Sequence, residues 1–355
     1  MIDFHYNYPL IGTEPGLISA AVQKHITESS AWVSEKPSAG TAEHRQVAAA
    51  FLSQWDAKIS HSRVFLCSGG HNGVSVALTR ASLEGAAVAV DELTYPNFRM
   101  MAVNRGMKVI ACAGDEDGML PQALDDAANS ENVKAVYLTP TVHNPLGTVM
   151  PARRRHALAN VIRWRGLWLI EDDAYRFLEP DAPAPIGWLV PERSFYVYSF
   201  TKPIALGLKV SYLAVPEAVS EGVEDFLAQA NGGTSLLFAG VLTSLVLDGT
   251  VQRVIAEKQV LGRQRQALIS NGLAGMKMRA HRNGFHSWIG LPQGIEAEAF
   301  CAACESQGVV ISAGSRYGNG TPQSARFFRL AVGNERSSER ITEGLALVKR
   351  VISSF

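Results

Sequence analysis

The sequence of 355 residues predicts an α/β fold, with a mostly parallel seven-stranded central sheet and a smaller α+β C-terminal domain. Seven short apolar runs, rich in β-branched residues, recur along the first 215 residues, and helical patterns separate several of them. The pattern changes after about residue 235. Because the chain is longer than one hydrophobic core usually supports, one large domain and one smaller domain are expected.

The seven apolar runs are predicted to be buried strands, because each is a nearly continuous apolar stretch of strand length. In chain order they are residues 63–67, 87–90, 108–111, 135–139, 167–171, 194–199 and 210–215. Helical patterns lie between them at residues 72–84, 97–104, 120–128 and 152–165. Strands that alternate with helices favour a parallel sheet that binds ligands at its strand ends.

The C-terminal third has a different organisation. One long helix is predicted over residues 235–274, followed by strand-like runs at 285–291, 308–311 and 327–332. Helices are predicted at 297–307 and from about Ser338 onward. This mixture indicates a smaller α+β domain.

Charge and composition argue against several classes of function. The 33 basic and 33 acidic residues form no basic block, so neither nucleic acid nor an anionic membrane is an expected partner. The most apolar stretches are far shorter than the roughly 20 residues that span a bilayer. Because the N-terminus also lacks the pattern of a secretory signal, we expect a cytoplasmic protein with a small-molecule ligand.

The four cysteines predict structural thiols rather than a metal site. Cys301 and Cys304 form a C-x-x-C, but no second ligand pair follows at a suitable spacing. The surrounding residues are typical of an apolar helix face. We expect reduced cysteines and no bound metal.

The segment 199–209, SFTKPIALGLK, follows a predicted strand and carries two amines and two hydroxyls around one turn. An amine that forms a Schiff base must be partly neutral, and desolvation near a second cation lowers its pKa in that way. Lys202 fits this role, while Ser199, Thr201 and Lys209 could hold a phosphate beside it. By itself the segment could equally be a solvated loop.

Three further segments follow predicted strands. Asp172 and Tyr175 could contact the nitrogen and hydroxyl of a pyridine ring, although acidic residues at a strand end also serve as helix caps or metal ligands. Asn144 lies in a Pro- and Gly-containing turn. Gly69 and Gly70 open a helix, where free N–H groups could bind an anion.

In this order and spacing, the segments resemble the fold-type I enzymes that use pyridoxal 5′-phosphate (PLP), specifically the class I/II aminotransferase family. The resemblance extends over nearly the whole chain. It implies an N-terminal arm and substrate loop at residues 1–40, a large PLP-binding domain at 41–245 and a small domain at 246–355. A homodimer is also implied.

The resemblance implies a role for each matching residue. Lys202 would carry the cofactor as a Schiff base, with Asp172 and Tyr175 as further catalytic residues. The cofactor would also be held by Gly69, Gly70, His71, Tyr95, Asn144, Ser199, Thr201 and Lys209. The substrate would contact Arg329, Tyr8 and Asn144, with Arg329 binding the α-carboxylate and Arg326 as its nearest competitor.

Some positions depart from the family pattern. Lys209 stands where arginine is usual, and residues 35–39 lack the tyrosine with which relatives often reach the neighbouring subunit's phosphate. The N-terminal loop around Tyr6 and Tyr8 is unusually aromatic and polar. Substrate choice is therefore expected to involve Tyr6, Tyr8, Glu14 and Tyr95, which could suit an aromatic or a guanidino side chain.

The resemblance implies transfer of an amino group from an L-amino acid to a 2-oxo acid, through a Schiff base on Lys202 and a quinonoid. The same chemistry supports elimination, replacement or cyclisation, as in C–S lyases and enzymes that cyclise hydroxyarginine. A third possibility is a ligand-sensing domain, since some transcription regulators carry this fold behind a DNA-binding module. The large-domain pattern begins by about residue 40, which leaves no expected room for that module.

Overall fold

The computed structural model describes residues 1–33, 36–318 and 322–355, and a seven-stranded sheet organises its first two-thirds. The strands, in chain order, are β1 Ile2–Asp3, β2 Val64–Cys67, β3 Ala87–Asp91, β4 Lys108–Cys112, β5 Gly114–Asp115, β6 Gly118–Met119, β7 Val133–Leu138, β8 Trp168–Asp172, β9 Ser194–Ser199, β10 Ser211–Ala214, β11 Met278–Ala280, β12 His286–Gly290, β13 Val309–Val310, β14 Ser312–Ala313 and β15 Phe327–Ala331.

The α-helices of the described residues alternate with these strands in the first part of the chain and predominate after residue 220. They are α1 Glu14–Glu28, α2 Ala42–Leu52, α3 Gly70–Arg80, α4 Pro96–Val103, α5 Pro121–Ser130, α6 Ala152–Arg165, α7 Ile186–Leu189, α8 Val223–Asn231, α9 Leu236–Leu247, α10 Thr250–Gly272, α11 Ala297–Ser306 and α12 Ser338–Ser353. The four helices predicted between strands correspond to α3, α4, α5 and α6.

The central sheet has the strand order β2-β10-β9-β8-β7-β3-β4. All neighbours from β9 to β4 are parallel, whereas β10 runs antiparallel to both β9 and β2. The mostly parallel, seven-stranded sheet is therefore confirmed. Because β10 returns directly from β9, its first residue, Ser211, pairs with Ser199 on one side and Cys67 on the other. Three strand ends thus meet at one level.

Both faces of the sheet are covered, because alternate residues of a strand enter different apolar clusters. On β9, Phe195 and Val197 pack in the cluster that contains Val74 of α3. Their neighbours Tyr196 and Tyr198 pack on the opposite face with Phe51 of α2. All these side chains are buried, so the sheet is a rigid support for the residues that follow its strands.

A second, antiparallel sheet with the order β11-β12-β15-β14 supports the C-terminal part. The predicted runs 285–291 and 327–332 correspond to β12 and β15. The run 308–311 contains β13, which pairs in parallel with β1 rather than joining this sheet. The N-terminus is thereby fixed to the C-terminal part of the fold.

The single helix predicted over residues 235–274 is wrong. The chain breaks between α9 and α10, where Gly249 adopts a left-handed φ of +76° and the amide of Thr250 donates to Asp248 Oδ1 at 2.9 Å. The two helices are bent by 77°. In the described residues no single helix is long and apolar enough to cross a membrane. Within the same residues, only this bent pair, taken together, has the length and composition of a membrane span.

Candidate active site

Sequence reasoning assigned thirteen residues to a site. All of them lie in the wall of one cavity of about 670 Å³, at the ends of the central strands. They are Tyr8, Gly69, Gly70, His71, Tyr95, Asn144, Asp172, Tyr175, Ser199, Thr201, Lys202, Lys209 and Arg329. Asp172 ends β8 and Ser199 ends β9, so the parallel strands bring segments that are distant in sequence to one edge of the sheet.

The Lys202 amine lies inside this cavity, on the turn that follows β9. Its Nζ is 3.6 Å from the centre of the Tyr8 ring and 5.9 Å from that of Tyr175. Desolvation, followed by the positive charge of Arg329, lowers the pKa of Lys202 to about 7, although Asp172 acts in the opposite direction. A large fraction of this amine is therefore uncharged at neutral pH and able to act as a nucleophile or base.

The carboxylate of Asp172 has one engaged oxygen and one without a partner. Oδ2 accepts a hydrogen bond from the Tyr137 hydroxyl at 2.9 Å. Oδ1 is buried and has no hydrogen-bond partner among the described residues. Burial raises the pKa of Asp172 above its ordinary value. A buried carboxylate oxygen without a partner suits a cationic donor in the cavity, such as a protonated ring nitrogen.

One end of the cavity is formed where α3 begins. Gly69 has a φ of +88°, and a Cβ on Gly70 would lie only 3.2 Å from the Ser199 side chain. The hydroxyls of Ser199 and Thr201 are hydrogen-bonded to each other at 2.9 Å. Backbone amides at a helix N-terminus, two hydroxyls and the exposed amine of Lys209 form a donor set suited to a phosphate.

Tyr95 lies in the wall beside this end of the cavity. Its hydroxyl is 3.1 Å from His71 Nε2 and accepts a hydrogen bond from the Asn97 amide at 3.0 Å. Burial raises the pKa of Tyr95, so the phenol stays neutral at physiological pH. The neutral ring supplies a flat surface in the wall, as a stacking partner for a planar cofactor requires.

Arg329 on β15 is the buried cation at the opposite end. It donates to Asn144 Oδ1 at 3.1 Å and to the backbone oxygen of His5, while its Nε is buried without a partner in the described residues. Its guanidinium also lies 5.2 Å from the centre of the Tyr317 ring. The competitor Arg326 is exposed and does not line the cavity.

The structure brings in residues that sequence reasoning missed. Asn7 donates to the Tyr175 hydroxyl at 2.9 Å and lies 3.1 Å from Nδ1 of His286. Burial, with a further effect of Arg329, lowers the pKa of His286 to about 3 and keeps its ring neutral. No local pattern pointed to this cluster, because its members are 168 and 279 residues apart.

The prediction that Glu14 takes part in substrate choice does not agree with its position in the structure. Glu14 was expected to contact the substrate, but it is buried at the start of α1, pairs with Lys258 and does not line the cavity. Of residues 35–39, in which the usual tyrosine is missing, residue 35 lies outside the described residues. Within the described part of the chain, no group of three or more His, Cys, Asp or Glu side chains could hold a metal ion.

A sequence profile of the family described as "Aminotransferase class I and II" matches residues 1–345. The chain belongs to this family. Its cofactor is accordingly pyridoxal 5′-phosphate, and the cavity fits that group: Asp172 offers an unpartnered carboxylate oxygen, the start of α3 offers anion donors, and Lys202 offers a partly neutral amine.

Among curated proteins, the chain is similar to an uncharacterised HTH-type transcriptional regulator, YdeF of Bacillus subtilis, with 24% identity over 96% of this chain and 74% of the relative. It covers only 58% of a second such regulator, YdfD, in the same organism. It is also 26% identical to 2-aminoadipate transaminase of Thermus thermophilus, over 86% of this chain and 79% of that enzyme.

Among solved structures, the chain is similar to an archaeal alanine:glyoxylate aminotransferase. The two share a TM-score of 0.91 and 22% identity, and the alignment covers 100% of this chain and 91% of the other. This likeness establishes the fold, and the expected fold type is confirmed. At this level of identity it leaves the reaction and the substrate to be argued from the site itself.

Proposed function

We propose that this protein is a PLP-dependent aminotransferase that transfers the amino group of an L-amino acid to a 2-oxo acid. The observation that carries the proposal is the partly neutral Lys202 amine, held in one cavity with the unpartnered carboxylate oxygen of Asp172 and the buried guanidinium of Arg329. The Lys202 amine can exchange protons, the Asp172 carboxylate can pair with the cofactor's ring nitrogen, and the Arg329 guanidinium can bind the substrate's carboxylate.

When bound, PLP supplies an aldehyde that condenses with amines and a ring that accepts the electrons left behind when a proton leaves the substrate Cα. We assign its ring nitrogen to Asp172 and its phenolic oxygen to Asn144 and Tyr175. Tyr95 would stack against the ring. Its phosphate would be held by Gly69, Gly70, His71, Ser199, Thr201 and Lys209.

Arg329 would bind the substrate α-carboxylate, because it is the buried arginine of the cavity and retains an unpartnered Nε in the described residues. Asn144, which accepts a hydrogen bond from Arg329, would orient the guanidinium, and Tyr8 would form the wall below the reacting amine. With the carboxylate fixed, Lys202 Nζ would remove the Cα proton and return it to the carbon that was the aldehyde carbon of the cofactor.

The charges at the substrate end argue against a guanidino substrate. Arg316 and Arg329 both line the cavity, and both add to the effect of burial in lowering the pKa of His5. Among the described lining residues the one carboxylate is Asp172, which faces the cofactor end. A hydroxyarginine side chain would meet cations without a compensating anion, so we place transamination ahead of cyclisation.

The decisive experiment incubates the holoenzyme with a panel of amino acids and no 2-oxo acid. Transamination predicts that pyridoxamine phosphate accumulates with at most one equivalent of oxo acid, after which turnover stops. Elimination, replacement or cyclisation regenerates PLP, so product would exceed enzyme many-fold and contradict the proposal. Lys202→Ala is the control, because it lacks the proton-transferring amine.

A second candidate function is that of a ligand-sensing unit, which the similarity to YdeF over 96% of this chain favours. Such a unit would bind PLP and an amino acid with the same residues but would not complete the reaction. In the same incubation the cofactor spectrum would change on adding the amino acid, yet neither pyridoxamine phosphate nor oxo acid would form.

We also propose a homodimer. The proposal follows from the resemblance to the class I/II aminotransferases, which implies a homodimer. Tyr6 and Leu206, which line the cavity and are 56% and 44% exposed, would then lie where a partner subunit could cover them. Sedimentation velocity at assay concentration should give twice the chain mass, whereas a fully active monomer would contradict the dimer.

A further inference from the structure

A buried lysine outside the cavity contacts the turn that carries Lys202. Lys258 lies on α10 and is 1% exposed. Its Nζ donates to the backbone oxygens of Lys202 at 3.2 Å and Ile204 at 2.9 Å. In the described part of the chain no other donor reaches these two oxygens. An ammonium group from the C-terminal part of the fold therefore contacts this turn at two backbone oxygens.

The same ammonium is bound to the N-terminal segment. Lys258 Nζ lies 3.3 Å from Oε1 of Glu14, at the start of α1. The Glu14 carboxylate also accepts hydrogen bonds from the amides of Ile11 at 2.9 Å and Gly12 at 2.7 Å. Glu14 thus fixes the bend at Gly12, where φ is +90°, and connects that bend to Lys258.

These contacts close a loop around the reacting amine. Tyr8 lies four residues before the bend at Gly12, and its ring centre is 3.6 Å from Lys202 Nζ. The Lys202 side chain is therefore held from two directions. The Tyr8 ring that it contacts belongs to the segment that Glu14 fixes, and the Lys202 backbone belongs to the turn that Lys258 contacts. The ion pair between Glu14 and Lys258 connects that segment to that turn.

Stability alone does not account for the pair. Removing an ammonium and a carboxylate from water costs several kcal/mol per ion, and apolar residues of similar size often replace a buried pair without loss of stability. Burial lowers the pKa of Lys258 to about 8, although Glu14 acts in the opposite direction, so the cost of desolvation outweighs the attraction within the pair. A role in fixing one geometry explains the pair better.

We propose that Lys258 and Glu14 are positioning residues that hold the Lys202 amine against the ring of Tyr8. The proposal rests on Lys202 being the cofactor-bearing lysine, as proposed above, but not on which reaction follows. Neither residue touches the reacting atoms. Their effect passes through the backbone of the Lys202 turn and through the bend at Gly12.

The test uses the holoenzyme without any amino acid, so its outcome does not depend on the reaction class. The visible circular dichroism of bound PLP reports how rigidly the cofactor is held, and hydrogen–deuterium exchange reports the amides of residues 5–12. For Glu14→Gln and Lys258→Met, the ellipticity per bound cofactor should fall by about half or more, and exchange at Ile11 and Gly12 should speed up. The double variant should be no worse than Lys258→Met alone.

Glu257→Gln is the matched control, because it makes the same chemical change at an exposed neighbour of Lys258 on α10. It should leave ellipticity and exchange unchanged.

With an amino-acid substrate, kcat of Glu14→Gln should fall about tenfold while KM changes less than about threefold, since the residues that bind the substrate carboxylate are intact.

If Lys258→Met does not fold, Glu14→Gln decides the question alone. Wild-type ellipticity and exchange in a folded Glu14→Gln holoenzyme would overturn the proposal. A lower melting temperature with an unchanged cofactor spectrum would also overturn it, because the pair would then be merely structural. Failure to bind PLP at all in the wild-type protein would instead refute the proposed function.

Discussion

The two ends of the cavity are built in different ways. The cofactor end uses residues at or just beyond the ends of strands of the central sheet, such as Asp172, the last residue of β8, and Lys202, three residues after β9. The substrate end combines the N-terminal segment, around His5 and Tyr8, with Arg329 of the second sheet. The first end is rigid because the sheet is buried on both faces, whereas the second depends on contacts between distant parts of the chain. We infer that the chemistry and the selection of substrate are supported by separate parts of the fold.

The largest expected effect tests the cofactor end. Lys202→Ala should lower turnover by about 10³-fold or more, because the amine that moves the proton is lost while the anion-binding residues stay in place. Initial rates measure this loss, and borohydride reduction followed by peptide mass analysis locates the cofactor. Lys349→Ala, at an exposed lysine, is the control. Normal turnover in Lys202→Ala would refute the mechanism.

Asp172→Ala should have the next largest effect. Without the carboxylate the cofactor ring loses its acidic partner, and we expect a loss in rate of about 100-fold, or about 2.7 kcal/mol, with weaker retention of PLP. Steady-state kinetics and dialysis against buffer without cofactor measure the two effects. Asp181→Ala removes an exposed carboxylate and should be neutral. A rate within about threefold of wild type would argue against the assignment of Asp172.

Arg329→Lys tests the substrate end. Lysine keeps the charge but cannot form the two parallel hydrogen bonds that a guanidinium offers to a carboxylate, so KM for the amino acid should rise about ten- to thirtyfold. PLP affinity should change less than KM, because Arg329 reaches the cofactor residues through its hydrogen bond to Asn144 rather than through the phosphate-binding end. Arg326→Lys is the matched control. If it gave the larger rise in KM, the assignment of Arg329 would be wrong.

The smallest effect concerns the Lys202 amine itself. Its lowered pKa of about 7 predicts that the apoenzyme recombines with PLP about tenfold faster at pH 8 than at pH 6, because the neutral form reacts. The rate should level off above pH 8. Absorbance in the visible region follows the recombination. A rate that kept rising to pH 10 would indicate an ordinary, solvated lysine.

Sequence alone predicted which residues meet at the cofactor end of the cavity, for a physical reason. Polar residues at the ends of buried strands, such as Asp172 and Ser199, are visible as short local patterns, and parallel strands bring their ends together. The substrate end has no such pattern: Asn7 and His286 come together beside Tyr175 only through long-range packing. The break before α10 was missed because apolar periodicity continues on both sides of Gly249 and only its left-handed backbone ends the helix.

The hairpin from β9 to β10 has a consequence for how such a protein can diversify. Ser199, Ser211 and Cys67 lie side by side, so the connection between β9 and β10 spans adjacent strands and carries Lys202 and Lys209. An insertion there that shifted β10 by one residue would turn each of its side chains to the other face of the sheet. We therefore expect the turn that carries Lys202 to tolerate little variation in length. Residues 5–11 of the N-terminal segment belong to no strand, so side-chain substitutions there shift no strand register, and substrate preference can be engineered there without rebuilding the turn that carries Lys202.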